Sequence, residues 1–288
     1  MTAPTAPESR LVPYFDDGTV TLYRTDTADA PMLYRPDLDG FGLRGTAAAV
    51  VTSPPYNVGV DYDGGPDSQP WPDYWALAAT AAELIATVLI PSGRVWLNTA
   101  VSVPETPVGD GSTATAKRRV LLAIGWAEAL AGAGLELVDQ IAWCSTRGAG
   151  TAWGSWQLPS APNLRGDWES ILVATNGPWE RPTPDHVPAG WRDQAGDWPA
   201  LCSTVWNLAP ARRTGHPAPF PLELAARCIR LSTWPGETVL DPFAGSGTTL
   251  VAARALGRRA IGIERSQRYC EQAAERLSQG AFDLGGVA

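Results

Sequence analysis

The stretch Thr238-Val239-Leu240-Asp241-Pro242-Phe243-Ala244-Gly245-Ser246-Gly247-Thr248-Thr249 limits the architecture of this chain more than any other segment. Its apolar start reads as a buried strand, its glycines as a tight turn, and Leu250 to Leu256 as the helix that follows. Gly245 and Gly247 permit positive φ and let the backbone approach a ligand closely. The next apolar run, Arg259-Ala260-Ile261-Gly262-Ile263, reads as a second strand and ends in Glu264, nineteen positions after Gly245. Strand, turn, helix and strand in this order belong to a mostly parallel sheet, and the carboxylate at the second tip can accept both hydroxyls of a ribose. The unit is therefore a crevice for a nucleoside-containing cofactor. A glycine turn with a distal acid fits a nicotinamide dinucleotide equally, and the detail that leans against one is the absent third glycine, whose place Leu250 takes.

A second join of strand to polar turn lies near the other end of the chain. The apolar run Ala47-Ala48-Ala49-Val50-Val51 leads into Thr52-Ser53-Pro54-Pro55-Tyr56. Two consecutive prolines fix two φ angles and remove two backbone donors, which leaves neighbouring carbonyls free to accept hydrogen bonds. The Ser53 hydroxyl and the Pro54 carbonyl can take two N–H bonds from a planar exocyclic amine, and the Tyr56 ring offers a face for a base to stack on.

Ser53-Pro54-Pro55-Tyr56 resembles the catalytic motif of DNA amino-methyltransferases, and Asp241 to Thr249 is similar to their S-adenosylmethionine-binding motif. With the tetrapeptide first and the cofactor motif about 190 residues later, the order looks like the beta group of that family. The resemblance assigns Asp241, Pro242, Phe243, Gly245, Gly247, Thr248 and Glu264 to the cofactor. It also assigns His216, Pro217 and Phe220, from the segment His216-Pro217-Ala218-Pro219-Phe220-Pro221, to the methionine part. Val20-Thr21-Leu22-Tyr23-Arg24-Thr25-Asp26 looks like the short strand whose terminal aspartate, Asp26, faces the adenine, although the family's Gly-Asp is Thr25-Asp26 here.

The implied fold is α/β, a Rossmann-like methyltransferase with a mostly parallel seven-stranded sheet and helices on both faces, in circularly permuted motif order. Strands are expected near Thr21, before Thr52, at Arg94–Asn98, at Leu135–Trp143, at Ile171–Ala174, near Val239 and near Ala260, with one strand reversed. Helices are expected at Asp73–Leu89, Ala116–Ala133 and Leu222–Leu231. The domain reading is a catalytic domain formed by residues 1–144 and 216–288, with a loop-rich target-recognition region at 145–215 that carries one sheet strand. The tetrapeptide and the glycine turn are expected at the carboxyl ends of adjacent central strands.

The implied partner is double-stranded DNA, with a homodimer and a cognate restriction endonuclease as further partners the family allows. Lys117, Arg118, Arg119, Arg212 and Arg213 are compact basic clusters suited to phosphates, set against the bland reading of a solvated face. Trp153 and Arg165 belong to a stretch that looks like one found in beta-group enzymes, and Trp168-Glu169 departs from the family's His-Glu. Most tryptophans between Trp143 and Trp206 read as packing for that region.

Composition removes other classes. No apolar run long enough to span a membrane occurs and no signal peptide is evident, so a cytoplasmic protein is expected. Cys144, Cys202, Cys228 and Cys270 stand far apart and the chain has two histidines, so neither a disulfide framework nor a metal site is expected. None of the cysteines follows a proline, which argues against carbon-5 cytosine methylation. A relative acting on RNA or protein is disfavoured because glutamine-modifying enzymes carry Asn in place of Ser53. A non-catalytic DNA-binding relative is disfavoured by intact Ser53, Tyr56, Gly245, Gly247 and Glu264. Within the group, Ser-Pro-Pro-Tyr is commoner in enzymes acting on cytosine N4 and Asp-Pro-Pro-Tyr in those acting on adenine N6. Cytosine N4 is thus the favoured target and adenine N6 the alternative.

The formal net charge is −8, from 22 Lys plus Arg against 30 Asp plus Glu. With few cationic clusters, DNA affinity should depend only shallowly on salt. A titration from low to high ionic strength checks this, and a slope equivalent to about eight or more phosphate contacts would contradict it.

Overall fold

A computed structural model describes residues 12–29, 43–63, 67–105, 118–145, 166–185, 196–211 and 220–279, with the single residues 159, 187 and 191. In chain order the elements are β1 (Phe15–Asp16), β2 (Val20–Arg24), β3 (Ala47–Thr52), α1 (Trp71–Val88), β4 (Leu89–Ala100), β5 (Val103–Pro104), β6 (Arg119–Val120), α2 (Leu122–Gly132), β7 (Glu136–Ser145), β8 (Trp168–Thr175), α3 (Trp198–Leu201), β9 (Val205–Leu208), α4 (Leu222–Ser232), β10 (Thr238–Asp241), α5 (Thr248–Ala255), β11 (Arg259–Glu264) and α6 (Gln267–Ser278).

Among the described residues one nine-stranded sheet runs in the order β1-β2-β11-β10-β3-β4-β8-β7-β9. The strands β2, β11, β10, β3 and β4 are parallel to one another, and β8 runs antiparallel to both β4 and β7. The seven expected strands form the interior, with β8 the reversed one, and the count is corrected to nine by two short edges. β1 has two residues and β9 four, too few for a hydrophobic period to show in sequence. β9 pairs with the second half of β7, so the segment 145–215 contributes two strands to the sheet where one was expected.

β3 lies at the centre, and all six of its residues are buried, as expected of a parallel strand covered on both faces. One face is covered by α1 and α2 through Tyr74, Ala78, Ile85, Leu122, Trp126 and Leu130. The other is covered by α4, α5 and α6 through Leu224, Ile229, Leu250, Val251, Cys270 and Leu277. In α1 the buried positions Tyr74, Ala78, Ala81, Ala82, Ile85 and Val88 follow the helical period, and a proline in the first turn sets its start. The expected helix 116–133 is corrected: it begins at Leu122, and Arg119–Val120 is instead a strand paired with Val103–Pro104. Arg119 donates to Ser102 Oγ at 2.7 Å and to Ser102 O at 2.6 Å, which holds this pair of strands together and keeps the segment out of the helix. Among the described residues no helix is long and apolar enough to cross a membrane.

Gly247 opens α5 with φ +79°, and a Cβ there would lie 2.9 Å from Ala273 Cβ of α6. Gly247→Ala therefore combines left-handed strain with a helix–helix clash, and urea denaturation should show a loss of about 1–3 kcal/mol.

Candidate active site

The carboxyl ends of β3 and β10 sit side by side, with Val50 opposite Leu240. The Thr52 hydroxyl at the tip of β3 donates to Asp241 Oδ1 at the tip of β10 over 2.7 Å, and Phe243 N–H donates to the same oxygen over 3.1 Å. Thr249, in the first turn of the adjoining helix, donates its hydroxyl to Val51 O at 3.2 Å. The two motifs separated in sequence are thus stitched together by side chains from both. Asp241 is buried and its Oδ2 has no partner. Burial pushes its carboxyl up to about 6, only partly offset by the Thr52 hydroxyl and the Phe243 N–H.

Glu264, at the tip of β11, accepts the N–H of Gly245 at Oε2 and the N–H of Ser266 at Oε1, each at 2.8 Å. Burial raises its carboxyl and these backbone donors lower it. Both oxygens keep a further lone pair, so the carboxylate is aimed and still able to accept two hydroxyl protons. Arg276, from α6, donates to Ser246 O at 2.7 Å, Ser246 Oγ at 3.1 Å and Thr248 Oγ1 at 3.3 Å, which braces the glycine turn from behind. Beside these groups lies an open cleft lined by Asp26, Thr27, Pro55, Tyr62, Phe243 and Glu264, among others. Asp26 stands two residues beyond β2, accepts Ala28 N–H at 2.9 Å and faces Arg265 at 3.9 Å. Thr27 donates its hydroxyl to Pro242 O, tying this corner to the glycine turn.

On the other side of Asp241, Ser53 and Tyr56 meet two residues from strands β4 and β8. Tyr56 Oη donates to Glu169 Oε2 at 2.7 Å and stands 3.3 Å from Ser53 Oγ. Asn98 Nδ2 reaches Glu169 Oε2 at 2.8 Å, Tyr56 Oη at 2.9 Å and Ser53 Oγ at 3.4 Å. Burial first, and the Glu169 charge second, raise the Tyr56 hydroxyl well above its ordinary range, so it stays protonated. Behind the turn, Trp126 Nε1 donates to Tyr74 Oη at 2.9 Å, and Tyr74 Oη donates to Pro55 O at 2.8 Å. The Pro55 carbonyl is thereby held inside the protein. The loop beyond is tied down by Asp67, whose oxygens accept Val60 N–H at 2.5 Å and Asn57 N–H at 3.0 Å.

Not every expected site residue joins this assembly. Phe220 packs against the apolar core on the α4 side and is not among the residues that line the cleft. Arg118 and Arg119 are exposed beside the β5–β6 pair, with the Arg119 guanidinium bonded to Ser102. Lys117, Trp153, Arg165, Arg212, Arg213, His216 and Pro217 lie outside the described residues. Conversely, Thr52, Asn98, Glu169, Tyr74 and Arg276 were not singled out from sequence for these contacts. The signal for Asn98 was a polar residue buried at the end of an apolar strand, and for Glu169 an acid at the start of the next.

The set of donors and acceptors fits S-adenosylmethionine. A buried carboxylate oxygen without a partner at Asp241 suits a cationic ligand, and the aimed Glu264 suits a ribose. Among the described residues no group of three or more His, Cys, Asp or Glu could hold a metal ion.

The model of a family described as "DNA methylase" matches residues 47–275. The type II methyltransferase M.ScaI of Streptomyces caespitosus is 26% identical over 291 residues, covering 94% of this chain and 86% of that protein. The solved structure of a putative DNA modification methylase from Thermus thermophilus, complexed with S-adenosyl-L-methionine, superposes with a TM-score of 0.64 at 26% identity, over 90% of this chain and 93% of that one. The cytosine-N4-specific PvuII DNA methyltransferase shares the fold with a TM-score of 0.65 at 17% identity, over 95% of this chain and 90% of that one.

In the folded state Asp241 holds its proton to about 6, against an ordinary value of 3.8, so the native state binds more protons than the unfolded one between these values. The contribution of Asp241 to native stability therefore falls as pH rises from about 4 to about 6. Asp241→Asn should flatten that fall by an amount on the order of 1–3 kcal/mol, measured as the difference between wild-type and variant unfolding curves across the window.

Proposed function

The chain belongs to the DNA methylase family, and on that premise we propose that it methylates the exocyclic N4 of a cytosine flipped out of duplex DNA. It is an S-adenosyl-L-methionine-dependent amino-methyltransferase of the N4-cytosine and N6-adenine group. The observation that carries the reading is the Thr52–Asp241 hydrogen bond, which fastens the tetrapeptide turn to the cofactor strand.

Asp241 would sit near the cationic part of the cofactor, Glu264 on its ribose and Asp26 near its base. When bound, S-adenosyl-L-methionine supplies a methyl group activated by a sulfonium. The protein's own part is to present the nucleophile. An exocyclic amine is weakly nucleophilic because its lone pair is delocalised into the ring. Accepting its two N–H bonds at Ser53 Oγ and Pro54 O favours a tetrahedral nitrogen whose lone pair is localised toward the methyl. With Pro55 O engaged by Tyr74, the turn has no freedom to retreat from the amine. The Tyr56 ring takes the face of the extruded base, and extrusion costs a few kcal/mol that stacking and the hydrogen bonds offset. Fixing the reacting atoms in line contributes up to about 7–11 kcal/mol in favourable cases.

Cytosine is favoured because Ser53 stands where the adenine-type motif has an aspartate. Adenine also presents an amino donor beside a ring acceptor, so the product must be read directly. Target reading is assigned to residues 145–215, whose β8 brings Glu169 within hydrogen-bond reach of Tyr56.

Unmethylated DNA incubated with the protein and labelled S-adenosyl-L-methionine should yield N4-methylcytosine in digested nucleosides analysed by mass. N6-methyladenine would move the target to adenine, and no product would overturn the function. Ser53→Ala and Tyr56→Ala should each abolish transfer while calorimetry finds cofactor affinity within about tenfold of wild type.

A further inference from the structure

Methylation leaves a proton to be placed. As the carbon–nitrogen bond forms, the carbon–sulfur bond of the donor breaks and its electron pair leaves on sulfur. The product nitrogen then carries a positive charge and one proton more than the neutral methylamino product. That proton needs a route to a base.

The polar cluster around Tyr56 supplies one with a fixed direction. Glu169 as a carboxylate only accepts, and Asn98 Nδ2 only donates. Because Tyr56 Oη is committed as donor to Glu169 Oε2 at 2.7 Å and accepts from Asn98 Nδ2 at 2.9 Å, its remaining capacity toward Ser53 is as an acceptor. Ser53 Oγ, 3.3 Å away, must then point its own hydrogen at Tyr56, leaving its lone pairs for the amine. The separation is long for a hydroxyl pair, as apo catalytic contacts often are before substrate tightens them. Asn98, 3% exposed, cannot act as a base itself but holds both Tyr56 and Glu169 in line. Among the described residues, the Glu169 charge acts on the phenols of Tyr56 and Tyr62, raising both.

We propose that Glu169 is the terminal proton acceptor of the reaction, reached from the methylated amine through the hydroxyls of Ser53 and Tyr56. The amine gives its proton to Ser53 Oγ as Ser53 gives its own to Tyr56 Oη, and Tyr56 gives its own to Glu169 Oε2. Each hydroxyl takes one proton as it releases one, so neither ionises. Glu169, which is only partly buried, returns the proton to solvent after product leaves. The inference rests on the methyl-transfer reading above. It gives the carboxylate of Trp168-Glu169 a task that acts through Tyr56 and not by touching the base.

Glu169→Gln keeps the size of the side chain and an acceptor for Tyr56 but removes the base. In single-turnover transfer of a tritiated methyl to unmethylated plasmid DNA it should be about 100-fold slower than wild type, with cofactor affinity by calorimetry and DNA affinity by filter retention within about twofold. Glu169→Asp should recover most of the rate. Tyr56→Phe, which keeps the stacking ring, should be similarly slow, and the double variant Glu169→Gln with Tyr56→Phe no slower than the worse single one, because one relay is broken once. Wild type should show a solvent deuterium isotope effect that Glu169→Gln lacks. A Glu169→Gln rate within about threefold of wild type, additive losses in the double variant, or a loss explained wholly by weakened binding would overturn the relay and leave methyl transfer standing. Failure of wild type to label any base would instead overturn the methyl-transfer reading.

Discussion

The hydrogen bond from Thr52 to Asp241 crosses the seam between β3 and β10, and everything chemical in the molecule is arranged on one side of it or the other. A carboxylate buried to this degree is costly unless its oxygens are used. Thr52 and Phe243 occupy Oδ1, and Oδ2 is left without a protein partner. The cost of that unpartnered acceptor is sustained by the sheet, since β3 and β10 are both covered by helices and cannot separate to admit water without breaking the core. The same bond sets the spacing between the glycine-turn strand and the tetrapeptide turn, on which in-line attack depends in the proposed reaction.

Around this seam the structure uses rigid elements to hold irregular ones. The two prolines remove two backbone donors from the turn, so its carbonyls need partners from elsewhere, and Tyr74, itself held by Trp126, supplies one from the helices that cover one face of the sheet. The glycine turn is held in the same manner by Glu264 in front and Arg276 behind. Both turns therefore keep their shape through side chains more than through local backbone ladders. Placement of a buried polar network on strands and helices gives it precision that a network carried by loops alone would lack.

How much could be read in advance follows from how local each signal is. The glycine turn, Glu264 and the proline pair are contiguous or nearly so, and their backbone demands show in residue type alone. The seven interior strands were legible because each sets apolar residues beside a recognisable turn or helix. β1 and β9 were not, being too short to show a period, and the start of α2 was misread because Arg119 is held by Ser102, seventeen positions earlier. The grouping of Asn98 with Glu169 depends on the antiparallel register that sets Ala100 opposite Glu169 and Asn98 opposite Ile171. A shift of that register by one residue would turn Asn98 or Glu169 to the opposite face, and nothing in either strand's own sequence fixes it.

Arg276, near the end of α6, is the brace of a turn whose residues are made thirty positions before it. Chains emerge from the ribosome amino end first, and a domain settles as its parts become available. The tetrapeptide strand is complete early, whereas the turn that pairs with it acquires its back support only after thirty further residues have been made. On the proposed reading, competence to hold the methyl donor therefore comes after the tetrapeptide is in place, and a nascent chain that still lacked α6 would carry half a site with nothing to transfer.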